Sequence, residues 1–384
     1  MQLDLNSGIL LIGIVQGVFL AIFLFTNQKG LATANRYLAC LLVAFVFALA
    51  VHFLKVTELW QQWLYLYLFG SVAVFAFGPL LYFYVRALTQ PQKPVQWLHS
   101  LHLLPLVINL LLFLSYLSAP EGQIVAAMER ASTEPKNSIN FLPLLKIGLI
   151  TVYTLAAFKL WFAHNHRIRA QFSDIEQKSL LWLRNLLLGF LCFEGLFLVI
   201  FSADLDISKV PGQVDTLLSL VLIAMIFMTG FYGLQQPEVF RNHNREKRYQ
   251  GEQAKFEDRE KTDKASSKNL NPELEAQIKQ RLERTMNSDK VYLDRFLDLN
   301  KLADHLDVTS HQISEYLNRV LEMNFYDFIN LQRIEEAKRQ LINSQDSILD
   351  IALAVGFNNK TTFNKAFKKY SNMTPSQYRK SHLS

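Results

Sequence analysis

The sequence predicts an all-α protein made of two unlike parts, and three observations carry that prediction. Apolar residues are concentrated before residue 235, in seven stretches long enough to cross a bilayer. A segment dense in both signs of charge and almost free of aliphatics follows. Beyond residue 272 the apolar residues recur at spacings of three and four, the period of short amphipathic helices. With 51% hydrophobic residues and 29 Phe, and a mean hydropathy of +0.13, the chain is unusually apolar for a protein that never meets lipid.

The seven stretches lie at about 8–26, 37–54, 64–85, 100–117, 141–162, 180–201 and 215–234. A helix needs roughly 20 residues to span about 30 Å of hydrocarbon. The start, MQLDLNSG, has no basic n-region and no small-residue cleavage site follows, so the first stretch reads as an uncleaved span. Trp60, Trp63, Trp97, Trp161 and Trp182 fall near span ends, where aromatic residues collect at the membrane interface. Pro79, Pro105 and Pro143 each remove a backbone donor and are expected kink sites.

Loop charges orient these spans. In or beside the first, third and fifth loops are Lys29, Arg36, Arg86, Lys93, Lys159, Arg167, Arg169 and Lys178, eight basic residues. The second, fourth and sixth hold four, Lys55, Arg130, Lys136 and Lys209, along with Glu58, Glu121, Glu129, Glu134, Asp204 and Asp206. The positive-inside rule then places the N-terminus outside and the C-terminus in the cytoplasm, which requires an odd number of spans.

Residues Gln235–Asn271 read as a solvated linker or charged stalk, because they cannot bury enough apolar surface to offset the entropy of ordering. Pro272 then opens an amphipathic helix with Leu274, Ile278 and Leu282 four residues apart. Packing on the following domain is the expected role, with a short dimer-forming coil as the alternative.

Two helix-turn-helix units follow, at about 299–320 and 347–370. In the first, Leu299, Leu302, Ala303 and Leu306 line one helix, Asp307-Val308 makes the turn, and Thr309 caps a second helix that buries Ile313, Leu317 and Val320. A linking helix from about Tyr326 to Asn343 carries Phe328, Leu331, Ile334, Ala337, Lys338 and Leu341 at helical spacing. In the second unit Ile348, Ile351, Ala352 and Val355 share a face, Gly356 turns the chain, Phe357 fills the corner, and Asn358 or Asn359 caps the next helix. There Phe363, Ala366 and Phe367 face inward. A helix so placed can enter the DNA major groove.

The run Ile348-x-Asp350-Ile351-Ala352-x-x-Val355-Gly356-Phe357, then Phe363 and Phe367, then Thr374-Pro375-x-x-Tyr378-Arg379, resembles the signature of AraC/XylS-type transcription regulators. The resemblance covers roughly residues 285–384 and implies a domain of about a hundred residues with two helix-turn-helix units, used to activate promoters and often as a dimer. Glu322 and Asn372 stand where such proteins often have glycine after each recognition helix. Asn tolerates the left-handed conformation, while Glu322 points to a different turn.

By position in their helices, His311, Ser314, Glu315 and Asn318 would read base edges from the first unit, and Thr361, Thr362, Asn364 and Lys365 from the second. Arg319, Lys360, Lys368, Lys369, Arg379 and Lys380 would neutralise phosphates. After Asp350 the chain has six Lys or Arg and no acid, so the second unit is expected to supply much of the electrostatic affinity.

Within the spans, Lys146 and Glu194 stand out as costly charges in hydrocarbon. Both fall roughly 8–10 Å below the outer surface at 1.5 Å per residue, so they are expected to meet. With His52 and Asp215 they form a candidate polar ligand site; snorkelling by Lys146 and a backbone bond from Glu194 are the structural alternative. Cys40 and Cys192 both lie inside spans, which argues against a disulfide framework. No metal-spaced His, Asp or Glu cluster, Gly-rich phosphate loop or nucleophile elbow is visible, so neither catalysis, metal nor cofactor is expected.

The expected whole is a seven-helix transmembrane bundle at 1–234, a linker at 235–271, and a cytoplasmic DNA-binding domain at 272–384. DNA must be within reach of that domain, which favours a bacterial inner membrane. Expected partners are double-stranded DNA, the lipid bilayer and an unidentified signal ligand, with RNA polymerase and a second copy of the chain as further candidates. Two rival readings are a membrane enzyme or transporter fused to a regulator, and a passive membrane anchor for a DNA-binding domain.

Overall fold

The computed structural model describes residues 4–26, 31–91, 97–116, 118–133, 141–175, 179–202, 213–240 and 270–382. Every regular element among them is helical, apart from one isolated bridge between Phe172 and Asp298. Packing divides the chain into two units, Met1–Phe162 with Leu180–Asn242, and Ala163–Ser179 with His243–Ser384.

The first unit holds α1 (Leu5–Thr26), α2 (Ala32–Val56), α3 (Leu64–Ala73), α4 (Phe77–Thr89), α5 (Leu104–Tyr116), α6 (Glu121–Thr133), most of α7 (Phe141–Gln171), α8 (Leu181–Ser202) and α9 (Gln213–Phe240). Its core centres on α2, whose Leu38, Leu41, Leu42, Phe45 and Leu49 are fully buried against neighbours that include α1, α4 and α9. Glycine lets these helices approach closely: a Cβ on Gly17 would meet the Val46 side chain at 2.6 Å, and one on Gly230 would meet Leu20 at 2.3 Å. Small residues play this part where lipid is as apolar as the side chains it competes with.

Among the described residues, five helices are long and apolar enough to cross a membrane: Leu5–Thr26, Ala32–Val56, Leu64–Thr89, Leu144–Gln171 and Leu181–Val199. Two shorter apolar helices, Leu101–Leu114 and Thr216–Tyr232, occupy the places of the fourth and seventh predicted stretches. The third is broken by a 3-10 turn at Val74–Ala76. Pro79 explains it, since proline cannot donate to the carbonyl four residues back, at Phe75. Pro105 likewise stands at the start of α5 directly after a 3-10 stretch, Trp97–Leu103, whereas Pro143 falls in the first turn of α7, where proline costs little.

The fourth loop contains α6, a helix not expected from the sequence, tied to the second loop by Gln61 Nε2 donating to Glu129 Oε1 at 3.0 Å. Trp161 is buried, and its indole N–H finds the Leu180 carbonyl at 3.1 Å.

In the second unit, α10 (Pro272–Arg284), α11 (Leu299–Leu306), α12 (Ser310–Arg319), α13 (Phe325–Asn343), α14 (Ile348–Ala354), α15 (Lys360–Ser371) and α16 (Pro375–His382) surround two small cores. Ile278 and Leu282 of α10 are buried in the first core, with α11 and α12. The second core joins Ile334, Ala337 and Leu341 of α13 to Ile351, Val355, Phe357, Phe363 and Phe367. Each of these helices starts on a side chain that accepts a backbone N–H: Asn271, Asp298, Thr309, Asn324, Ser347 and Asn359 for α10 to α15. Thr374 does the same for α16, accepting from Gln377 N at 3.3 Å. The charged stretch between the units lies mostly outside the described residues.

Candidate nucleic-acid interface

The site is built from two helix pairs hung on α13. In the first, α11 ends at Asp307, whose left-handed φ of 52° turns the chain into α12. Thr309 and Gln312 form a reciprocal capping box there. In the second, Gly356 adopts φ 95°, and a Cβ at this position would lie 2.8 Å from Leu293 O and 3.0 Å from Arg333 Nε. Glycine is needed here for both conformation and space. Asn359, not Asn358, caps α15.

The two recognition helices end differently. Asn372 closes α15 directly at φ 58°, whereas α12 is followed by Val320 at φ −93° and the chain becomes left-handed only at Glu322, φ 52°. The turn at Glu322 thus differs from that at Asn372, and the glutamate adopts a conformation that glycine would take at less cost. Val320, expected to be buried, is 41% exposed, because α12 turns Tyr316 inward with Ile313 and Leu317.

His311 and Asn318 on α12, and Thr361 and Lys365 on α15, are exposed. Ser314, Glu315, Thr362 and Asn364 are half-buried beside them. Asn318 Nδ2 donates to Ser314 O at 2.9 Å, so part of its polar capacity is spent on its own helix. Glu315 lies 3.8 Å from His311 and 3.9 Å from Arg319, which makes the α12 face electrostatically balanced. The α15 helix carries no acid of its own, and of its lysines Lys369 pairs with Asp327 of α13.

Of the side chains expected on phosphates, Lys360, Lys368 and Lys380 are exposed. Three others have partners inside the domain. Arg319 pairs with Glu275 of α10. Lys369 bonds Asp327 Oδ1 at 2.6 Å. Arg379 caps the end of α13, donating to Leu341 O at 3.2 Å and Asp346 O at 2.7 Å. Burial works to raise the Asp327 carboxyl, but hydrogen bonds from Lys369 and Tyr370 outweigh it and hold it below the usual carboxylate range.

The residue that periodicity missed is Arg333. It is 1% exposed, and it donates from Nε to Tyr292 O at 2.7 Å and from Nη2 to Asp294 O at 2.8 Å, with Phe357 beneath it. Burial pushes its guanidinium down to about 10, still charged at neutral pH. The available signal was its place three and four residues from the buried Asn330 and Ala337.

A profile of a helix-turn-helix domain family matches residues 302–381. The melibiose operon regulatory protein of Escherichia coli K12 is 34% identical over 87 residues, 23% of this chain and 29% of that protein. The C-terminal domain is an AraC-type helix-turn-helix domain. An HTH-type transcriptional regulator of Staphylococcus aureus is 32% identical over 103 residues, 24% of this chain and 14% of its own. The chain thus spans under a third of the length of these relatives. Among solved structures, the C-terminal domain of the response regulator yesN from Fusobacterium nucleatum matches 26% of this chain and 96% of its own at 31% identity and TM-score 0.24. An AraC-type regulator from Chromobacterium violaceum matches 28% and 97% at 20% identity and TM-score 0.26.

The first unit contains a cavity of about 390 Å³, lined by His52, Tyr67, Lys146, Phe193, Phe197 and Ser219 among others. Lys146 lies 3.5 Å from Ser71 O and over the Phe75 ring at 5.3 Å. Glu194 does not meet it: this carboxylate accepts from Thr154 Oγ1 at 2.7 Å and lies outside the lining. Eight residues separate positions 146 and 154 along α7, about 12 Å, so the two charges are at different depths. The side chain of Asp215 is outside the described residues.

Proposed function

We propose that this protein is a membrane-embedded transcription regulator whose α12 and α15 read DNA in response to a signal met by the apolar unit. The carrying observation is one chain holding both an AraC-type DNA-binding domain and at least five helices of membrane length. Exposed Ile12, Val15, Phe19 and Ile22 line one face of α1, and Leu145, Val152, Leu155 and Phe162 are exposed on α7. Apolar stripes of this kind need a covering, and lipid supplies one.

Seven spans, with the N-terminus outside, remain the reading that the loop charges support. It puts the DNA-binding domain in the bacterial cytoplasm. Base reading then falls to His311, Asn318, Thr361 and Lys365, with Ser314, Glu315, Thr362 and Asn364 beside them. Lys360, Lys368 and Lys380 neutralise phosphates, while Arg319, Lys369 and Arg379 position the scaffold. The cavity beside Lys146 and His52 is the place for a signal ligand, and Glu194 keeps a structural role. A ligand acts only if it binds one arrangement of the helices better than another.

Mapping the chromosomal sites bound by the intact protein in living cells tests this directly. The reading expects a few sites sharing a sequence motif, lost in a Lys365→Ala, Thr361→Ala variant. Uniform background occupancy by intact, folded protein would refute it.

A further inference from the structure

The segment that leaves α7 is built into the DNA-binding domain. Phe172 bridges Asp298, the residue that caps α11. Ser173, 3% exposed, donates Oγ to Leu297 O at 2.5 Å and accepts from Arg333 Nη2 at 3.3 Å. Asp174 accepts from Asn358 Nδ2. Arg169 stands 5.8 Å from the centre of the Tyr326 ring. These partners belong to the α11 start, to α13 and to the turn before α15, so one short stretch touches both helix-turn-helix units. A loop that merely joined two apolar helices would be solvated, and would not place a serine against the most deeply buried arginine of the domain.

The position of Asp174 gives the contact a consequence. Its partner Asn358 immediately precedes Asn359, the cap of α15, and Lys360, its first residue. The N-terminal residues of a recognition helix enter the groove, and the helix start with its lysine attracts phosphate. A carboxylate held there repels the DNA backbone. We propose that residues 169–174 are a docking arm that holds the second helix-turn-helix unit in a form with low affinity for DNA, and that release of the arm frees it. The arm continues α7 without a break, so a change in that helix has a covalent route to the DNA-binding face. This rests on the reading of the domain as a DNA binder.

The test uses the intact protein in lipid nanodiscs, with Cys40→Ala and Cys192→Ala as background and DNA selected from a random pool by the wild type. Asp174→Cys with Asn358→Cys should cross-link on oxidation, and the oxidised protein should bind that DNA about fivefold or more weakly than after reduction. Asp174→Ala alone should bind about fivefold more tightly than its parent, and Ser173→Ala should shift affinity the same way. No cross-link in folded protein would overturn the docking arm. Equal affinity of oxidised and reduced forms, or unchanged or weaker binding by Asp174→Ala, would overturn its inhibitory role. If neither the wild type nor Asp174→Ala selects a sequence, the regulator reading sinks instead, while the cross-link yield would still decide whether the arm docks.

Discussion

Arg333 Nε donates to the carbonyl oxygen of Tyr292 at 2.7 Å, and this bond joins the linking helix to the chain that leads into the first helix-turn-helix unit. The same guanidinium lies against Gly356 and Phe357 of the second unit. Two small cores thereby share one polar hinge pin.

Arg333→Met keeps the volume but leaves the Tyr292 and Asp294 carbonyls without their donor. Each unpaired buried group costs about 1–3 kcal/mol, so a loss of roughly 3 kcal/mol is expected. Gly356→Ala is expected to cost about as much, since it adds left-handed strain to a Cβ placed 2.8 Å from Leu293 O. Hydrogen exchange of the intact protein reads both variants: α14 and α15 amides should lose protection, with those of α2 unchanged. Wild-type protection in α14 and α15 would contradict the hinge.

Glu322→Gly acts in the opposite direction. Removing a Cβ from a residue at φ 52° relieves about 1 kcal/mol of strain, less the entropy that glycine adds to the unfolded chain. Exchange of the α12 amides should slow by a few-fold. Faster exchange would mean that the glutamate side chain contributes more than its backbone costs.

The Asp327 carboxyl, held low by Lys369 and Tyr370, sets an acid limit. A group whose folded value is depressed stabilises above its unfolded value, here 3.8, and loses that contribution as pH falls through the folded value. Wild type should therefore be more protected than Asp327→Asn at pH 6, with the difference shrinking below about pH 4. A difference that stayed constant down to pH 2 would show that packing, not charge, carries the contact.

Much of this architecture was legible in order along the chain. Apolar length marked the membrane-sized helices, and the Ile351, Ala352, Val355 and Gly356 pattern marked the second unit, because buried faces and glycine turns are local requirements. Arg333 was not legible, since its partners are carbonyls about forty residues away and a carbonyl leaves no trace in sequence. Lys146 and Glu194 looked like a pair because depth was counted from the ends of the apolar stretches; Thr154, eight residues along α7 from Lys146, donates to one oxygen of the glutamate instead. α6 was hidden by the charges of its exposed face.

DNA contacts separate into two kinds by salt dependence. Lys368→Ala and Lys380→Ala should each lower the slope of log affinity against log salt by about 0.9, with sequence preference unchanged. Lys365→Ala should relax preference at one base pair at a cost of about 1–3 kcal/mol. Loss of preference in Lys380→Ala would reverse the assignment.

Signal response should depend on the cavity cation and not on the buried carboxylate. Lys146→Met is expected to abolish conditional transcription while leaving the affinity for DNA in vitro as in wild type. Glu194→Gln keeps an acceptor for Thr154 and should respond normally. A silent Glu194→Gln with intact folding would return the glutamate to the ligand site.

The central claim is that the apolar unit sits in a membrane and delivers its C-terminal domain to the cytoplasmic side. A paired reporter fused after Ser384, with one half active only in the cytoplasm and the other only outside it, measures this in living cells. The membrane fraction should carry the cytoplasmic signal alone; an exterior signal, or full-length protein recovered without detergent, would contradict the account.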